Sequence, residues 1–177
     1  MKKIVLIYGT IAGLIVGGLM LIFWPLMESE TINMDNGMLL GYATMILALS
    51  VIFLAVKTYR DKHNKGNISF GKGVIIGLLI TLVAGILYAF AWEIMFSQMG
   101  DEYMQKMMQH YHDSKAGPGS TPEQVEVVKK EIEDFIAMYK NPFIRFGITL
   151  MEILPVGIVI SLVSAALLKK KDFLPAN

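Results

Sequence analysis

Apolar and polar positions in this chain are sorted into long blocks. Four apolar blocks, at about residues 4–27, 38–56, 74–96 and 148–168, are separated by segments that hold nearly all the charge. Each block is close to the roughly 20 residues that a helix needs to cross a bilayer. The pattern predicts an all-α, integral membrane four-helix bundle, read as one domain over residues 1–177. The first block follows Met1-Lys2-Lys3 and ends in Trp24-Pro25. It is longer than the apolar region of a signal peptide and lacks a small-residue cleavage site, so an uncleaved first membrane helix is expected.

Small residues recur within the blocks at helical spacing. Gly9, Gly13 and Gly17 lie four apart in the first block. In the third, Gly73, Gly77, Thr81, Gly85 and Ala89 do the same, and the next step is a carboxylate, Glu93. Each four-residue step drifts only about 40° around a helix, so each series forms one face. Such faces let helix backbones approach closely inside a membrane. A packing role is therefore expected for Gly9, Gly13, Gly17, Gly73, Gly77 and Gly85.

The one sizeable polar region, 97–142, follows a different period. Asp101 is placed to cap a helix through about residue 114, and Ala116-Gly-Pro-Gly-Ser120 breaks it. Thr121-Pro-Glu-Gln124 combines a capping box with proline at the first helical position. Val125, Val128, Ile132, Phe135 and Tyr139 then form one apolar stripe, with Glu126, Lys129, Lys130 and Glu133 on the other face. A helical hairpin between the third and fourth membrane helices is predicted.

Charge orients the bundle. Ten Lys and Arg fall in the N-terminus, the 57–72 loop and the C-terminal tail, while the 28–37 loop has none. The 97–142 segment has five, against eight acids. Because positive loops stay in the cytoplasm, both termini are expected inside and the hairpin is expected to be extracytoplasmic. A net charge of +1 leaves no basic surface for nucleic acid, and the absence of cysteine removes thiol nucleophiles and thiolate metal sites. There is no G-x-S-x-G, H-E-x-x-H or phosphate loop, so an enzyme is not expected.

Two constellations carry potential chemistry. Glu93 and Glu152 interrupt apolar runs at a similar inferred depth, and an ionisable group within a membrane segment is a functional candidate by default. Arg145 precedes Glu152 by seven residues, on nearly the same helical face. These residues fit a proton-linked site, a structural ion pair, or two acids reaching the interface independently. The sharpest expectation is that the carboxylates meet inside the bundle with Arg145 or Thr149 beside them. Separately, Met104, Met108 and His112 share a face and would suit copper(I). Against this, methionine is a flexible filler, and thirteen are spread through the chain. Neither a metal nor any other cofactor is expected.

Several stretches resemble a bacterial family of small four-helix membrane proteins catalogued as a domain of unknown function (number 4199). They are Tyr8-Gly-Thr-Ile-Ala-Gly13, Asp35-Asn-Gly-Met-Leu-Leu-Gly-Tyr42, Lys57-Thr-Tyr-Arg-Asp61, Ile68-Ser-Phe-Gly-Lys72, Tyr139-Lys-Asn-Pro142 and Glu152-Ile-Leu-Pro-Val-Gly157. None is a catalytic signature. The resemblance implies four helices and a bacterial inner membrane, and it carries no activity. The residues themselves point first to a non-enzymatic accessory or assembly component acting through helix association. The lipid bilayer and further copies or other membrane proteins would be its partners. The alternative is a small proton- or ion-coupled transporter that uses the membrane carboxylates.

Overall fold

The structure, a computed structural model, describes residues 1–28, 34–117, 119–170 and 173–174. The acidic connection at 29–33, Pro118 and Lys171 lie outside the described residues. Every regular element among the described residues is a helix: α1 (Lys2–Glu28), α2 (Met34–Leu49), α3 (Val51–His63), α4 (Phe70–Lys115), α5 (Pro122–Tyr139) and α6 (Pro142–Leu168). Four stretches are long and apolar enough to cross a membrane: Lys2–Leu26, Asn36–His63, Phe70–Gln98 and Pro142–Leu168. Large apolar side chains such as Leu14, Ile22, Leu39, Phe90, Met151 and Val159 point outward, as suits a lipid surround.

The second stretch is α2 and α3 joined at Ser50. The Ser50 hydroxyl donates to the Leu47 carbonyl at 2.6 Å, and this local bond competes with the regular helical ladder. Ser50 keeps helical dihedrals (φ −58°, ψ −21°), so the interruption is slight. Beyond it, α3 continues past residue 56 into the basic segment. Lys57 and Asp61, one turn apart and 2.6 Å from one another, support that extension.

The third block and the start of the polar region are one helix. α4 has 46 residues, about 69 Å at the usual rise, and projects well beyond the apolar span. Asp101, expected to cap a separate helix, is an exposed residue in its middle. No proline or turn signal separates Phe96 from Lys115, and Gly100 is covered by the Phe96 ring, so nothing stops the helix there. α5 begins as its sequence predicts, with Thr121 and Gln124 exchanging side-chain and backbone bonds and Pro122 in the first turn. Its apolar stripe folds back on α4, with Val128 and Tyr139 buried. Tyr111 of α4 donates to Glu131 of α5 at 3.0 Å. Asn141 then caps α6 through the Phe143 amide at 3.0 Å.

α4 is the centre of the bundle. On one side, a Cβ added to Gly9, Gly13 or Gly17 of α1 would meet Val83, Leu87 or Ala91 at 2.6, 2.7 and 3.1 Å. The numbers rise together, so α1 and α4 run parallel, with α4 side chains seated in the glycine notches. On the opposite side, Gly73 faces Ala165, Gly77 faces Ser161, Thr81 faces Gly157 and Gly85 faces Ile153. Here one number falls as the other rises, so α4 and α6 are antiparallel. The hydroxyls on this second ladder are satisfied within their own helices: Thr81 donates to the Gly77 carbonyl at 3.0 Å and Ser161 to that of Gly157 at 2.6 Å. Neither hydroxyl is used to bond across the close-packed seam.

The α2–α3 span leans on this core unevenly. Ile52, Ala55 and Val56 of α3 are fully buried. Among the described side chains of α2, only Met45, Ala48 and Leu49, near its end, are buried, and residues 36–44 include none. The hairpin end of α2 thus stands away from α4. At the other end, Arg60 of α3 is fully buried and clamps the close of α6. It donates to the Leu168 and Phe173 carbonyls at 3.4 and 2.9 Å, to Leu174, and to Asp61 at 2.6 Å. A guanidinium suits the last carbonyls of a helix, where the macrodipole is negative.

Candidate functional site

The α4–α6 register determines what happens at the hairpin end. Continuing the ladder by four-residue steps from Gly85 and Ile153 places Ala89 level with Thr149, and then Glu93 level with Arg145. The last rung is an ion pair. Arg145 donates from Nε to Glu93 Oε1 at 2.9 Å and from Nη2 to Oε2 at 2.6 Å, a bidentate fork. Its Nη1 donates to the Tyr139 carbonyl at 3.0 Å, and its guanidinium carbon lies 4.0 Å above the Phe96 ring. Arg145 is buried and Glu93 half-buried. Thr149, one rung below, spends its hydroxyl on the Arg145 carbonyl at 3.0 Å.

Aromatic rings close over the pair. Tyr103, Trp92, Phe96, Tyr139 and Phe135 follow one another at centroid distances between 5.0 and 6.1 Å, and Trp24 of α1 joins at Tyr103. The Trp92 indole donates to the Tyr139 hydroxyl at 2.9 Å. Burial pushes the Tyr103 and Tyr139 phenols above their ordinary range. Both are neutral; Tyr139 takes part through its hydroxyl and Tyr103 through its ring.

Glu152 has other company. Two turns along α6 from Arg145, it accepts a bond from the Tyr88 hydroxyl of α4 at 3.3 Å and is exposed to a groove. The structure thus brings Glu93 and Arg145 together and gives Glu152 a separate partner. The groove, about 500 Å³, exists because the first half of α2 stands off from α4. It is walled mainly by apolar and aromatic groups of α1, α2 and α4, among them Trp24, Met45, Trp92 and Tyr103. Among the described residues lining it there is no Lys or Arg.

The sulfur-rich face of α4 is elsewhere. Met104 and Met108 are half-buried, and Met108 borders a small cavity with Ile132 and Phe135 of α5. His112 Nδ1 lies 3.4 Å from Asp113 Oδ1. Among the described residues, no group of three or more His, Cys, Asp or Glu is placed to hold a metal ion.

The bonding roles of Tyr88, Tyr139 and Arg60 have no signal of their own in the sequence. The two tyrosines resemble ordinary core or interfacial aromatics, and Arg60 stands in a segment whose charge reads as solvated. A signal for the ion pair was nevertheless present. Arg145, Thr149, Ile153, Gly157, Ser161 and Ala165 step along α6 by fours, matching the series that ends in Glu93 on α4.

Four spanning-length helices with an apolar exterior and a small-residue seam define a multi-pass membrane protein of the helical-bundle class. Within that class, the chain belongs to the family described as Protein of unknown function (DUF4199), whose profile matches residues 7–170. The match takes in both ladders, the ion pair, the groove and the hairpin. No curated protein and no solved structure matches the chain.

Proposed function

We propose that this is a non-enzymatic protein of the bacterial inner membrane that works by binding a small hydrophobic ligand in the groove beside α2. The observation that carries this reading is the contrast between a close-packed α1–α4–α6 core and a second span that stands off from it. A groove of about 500 Å³ with apolar walls and a few polar groups falls within the range of small-molecule sites. Two features favour binding over the other expectations. The small-residue faces expected to pack helices are occupied within the chain, which leaves them unavailable for association with other proteins. Glu93, one of the two carboxylates expected to serve ion transport, is neutralised by Arg145. The lysine asymmetry supports cytoplasmic termini and an extracytoplasmic hairpin, which would put the groove in the outer half of the membrane.

The test uses tryptophan fluorescence of the full chain in detergent, because Trp24 and Trp92 both line the groove. Titration with the neutral probe triphenylphosphine oxide or the cation tetraphenylphosphonium should give a saturable change. Gly41→Phe should abolish it, since Gly41 lines the groove and a side chain there meets open space. Absence of a saturable response to both probes, or an undiminished one in Gly41→Phe, would overturn the reading.

A further inference from the structure

We infer that the ligand of this groove is an organic cation with an apolar body, held by the Glu152 carboxylate and the aromatic faces around it. The inference rests on the binding reading above and adds the chemistry that selects the ligand. Glu152 reaches the groove from α6 with one oxygen engaged by Tyr88 at 3.3 Å. Among the described lining residues there is no Lys or Arg to offset it, and the one imidazole is His110 of α4. The other nearby carboxylate, Glu93, already has its cation in Arg145. An anionic ligand would meet a like charge beside largely apolar walls, where repulsion is stronger than in bulk water. A neutral one would leave the carboxylate with a single phenol.

Among cations, the surroundings select an organic one. A bare metal ion asks for several oxygen or nitrogen ligands converging within about 2–2.6 Å. Among the described residues no three His, Cys, Asp or Glu are grouped to hold one, and the groove is far larger than an ion. A bulky cation with diffuse charge fits both the volume and the walls. Tyr88, Trp92, Tyr103 and Trp24 line the groove, and aromatic rings attract a weakly hydrated cation, more so where water is excluded. Recognition of quaternary ammonium groups by aromatic cages with a carboxylate rests on the same pair of forces.

The experiment compares tetraphenylphosphonium with neutral triphenylphosphine oxide, which keeps three of its four phenyl rings, in the wild-type chain and in Glu152→Gln. Wild type should bind the cation roughly tenfold or more tightly than the oxide, the order expected from a desolvated cation–π and charge contact. Glu152→Gln should keep oxide binding and lose the preference. A second measurement needs no variant: carbodiimide labelling of Glu152, followed by mass spectrometry, should be slowed by tetraphenylphosphonium and not by the oxide. Equal affinity of wild type for the two probes would overturn the cation inference while leaving the binding site standing. So would a preference that survives in Glu152→Gln, or labelling indifferent to saturating cation. Failure of both probes to bind would instead remove the site itself.

Discussion

Arg145 gathers more of the hairpin end than any other side chain: a bidentate carboxylate, a backbone carbonyl and an aromatic face. Its removal leaves Glu93 with an uncompensated charge inside an aromatic enclosure. Arg145→Leu should therefore cost about 3–5 kcal/mol of unfolding free energy, as breaking a buried pair does. Glu93→Gln combined with Arg145→Leu should restore much of the loss, measured by denaturation in mixed micelles. A double variant as unstable as the single one would show that the pair's charge is not what matters. Glu152→Gln should add to Glu93→Gln within about 0.5 kcal/mol, because the two acids share no partner. Significant coupling between them would contradict the separate bonding of Glu93 to Arg145 and Glu152 to Tyr88. At this scale the sequence was informative about identity and not about pairing. Glu93, Glu152 and Arg145 stood out because each places charge beside apolar runs. Spacing along one helix linked Arg145 to Glu152, whereas the bond forms across helices, where only the inter-helix register decides.

Among the elements, α4 is held by glycine notches on one side and by a small-residue seam on the other. Both were legible as four-residue periods, since a helix in lipid has little besides close backbone approach to select its neighbours. Their partners were not, because a period names a face and leaves open what covers it. The contrast between Gly13 and Gly18 tests the notches. A methyl group at Gly13 would lie 2.7 Å from the Leu87 Cβ, while Gly18 has nothing within 4 Å. Gly13→Ala should lose about 1–3 kcal/mol, the usual cost of overpacking, and Gly18→Ala should lose nothing. Equal stability of the two variants would mean that α1 and α4 are not seated as described. Helix ends followed a simple rule. The start of α5 was readable because a turn-rich stretch precedes Thr121-Pro122. Asp101 misled because a capping residue without a preceding break is simply a residue in a helix.

At the scale of the whole molecule, the charge distribution sets the expected placement in the membrane. Reporter fusions should show both termini and the 57–72 loop in the cytoplasm and Gly117 on the opposite side; a cytoplasmic signal at Gly117 would invert the assignment. The unbroken α4 has a mechanical consequence. It has no hinge between the part seated in the bundle and the part that stands above it, so it is a lever whose fulcrum is the double seam. A sideways force on the hairpin tip must tilt the whole rod, and the far end near Gly73 must shift against Ala165. With spin labels on the hairpin and at the α4 start, motions of the two should be correlated. Gly100→Pro, by cutting a joint into the rod, should uncouple them; if the labels remain correlated, the force travels through α5 and α6 instead.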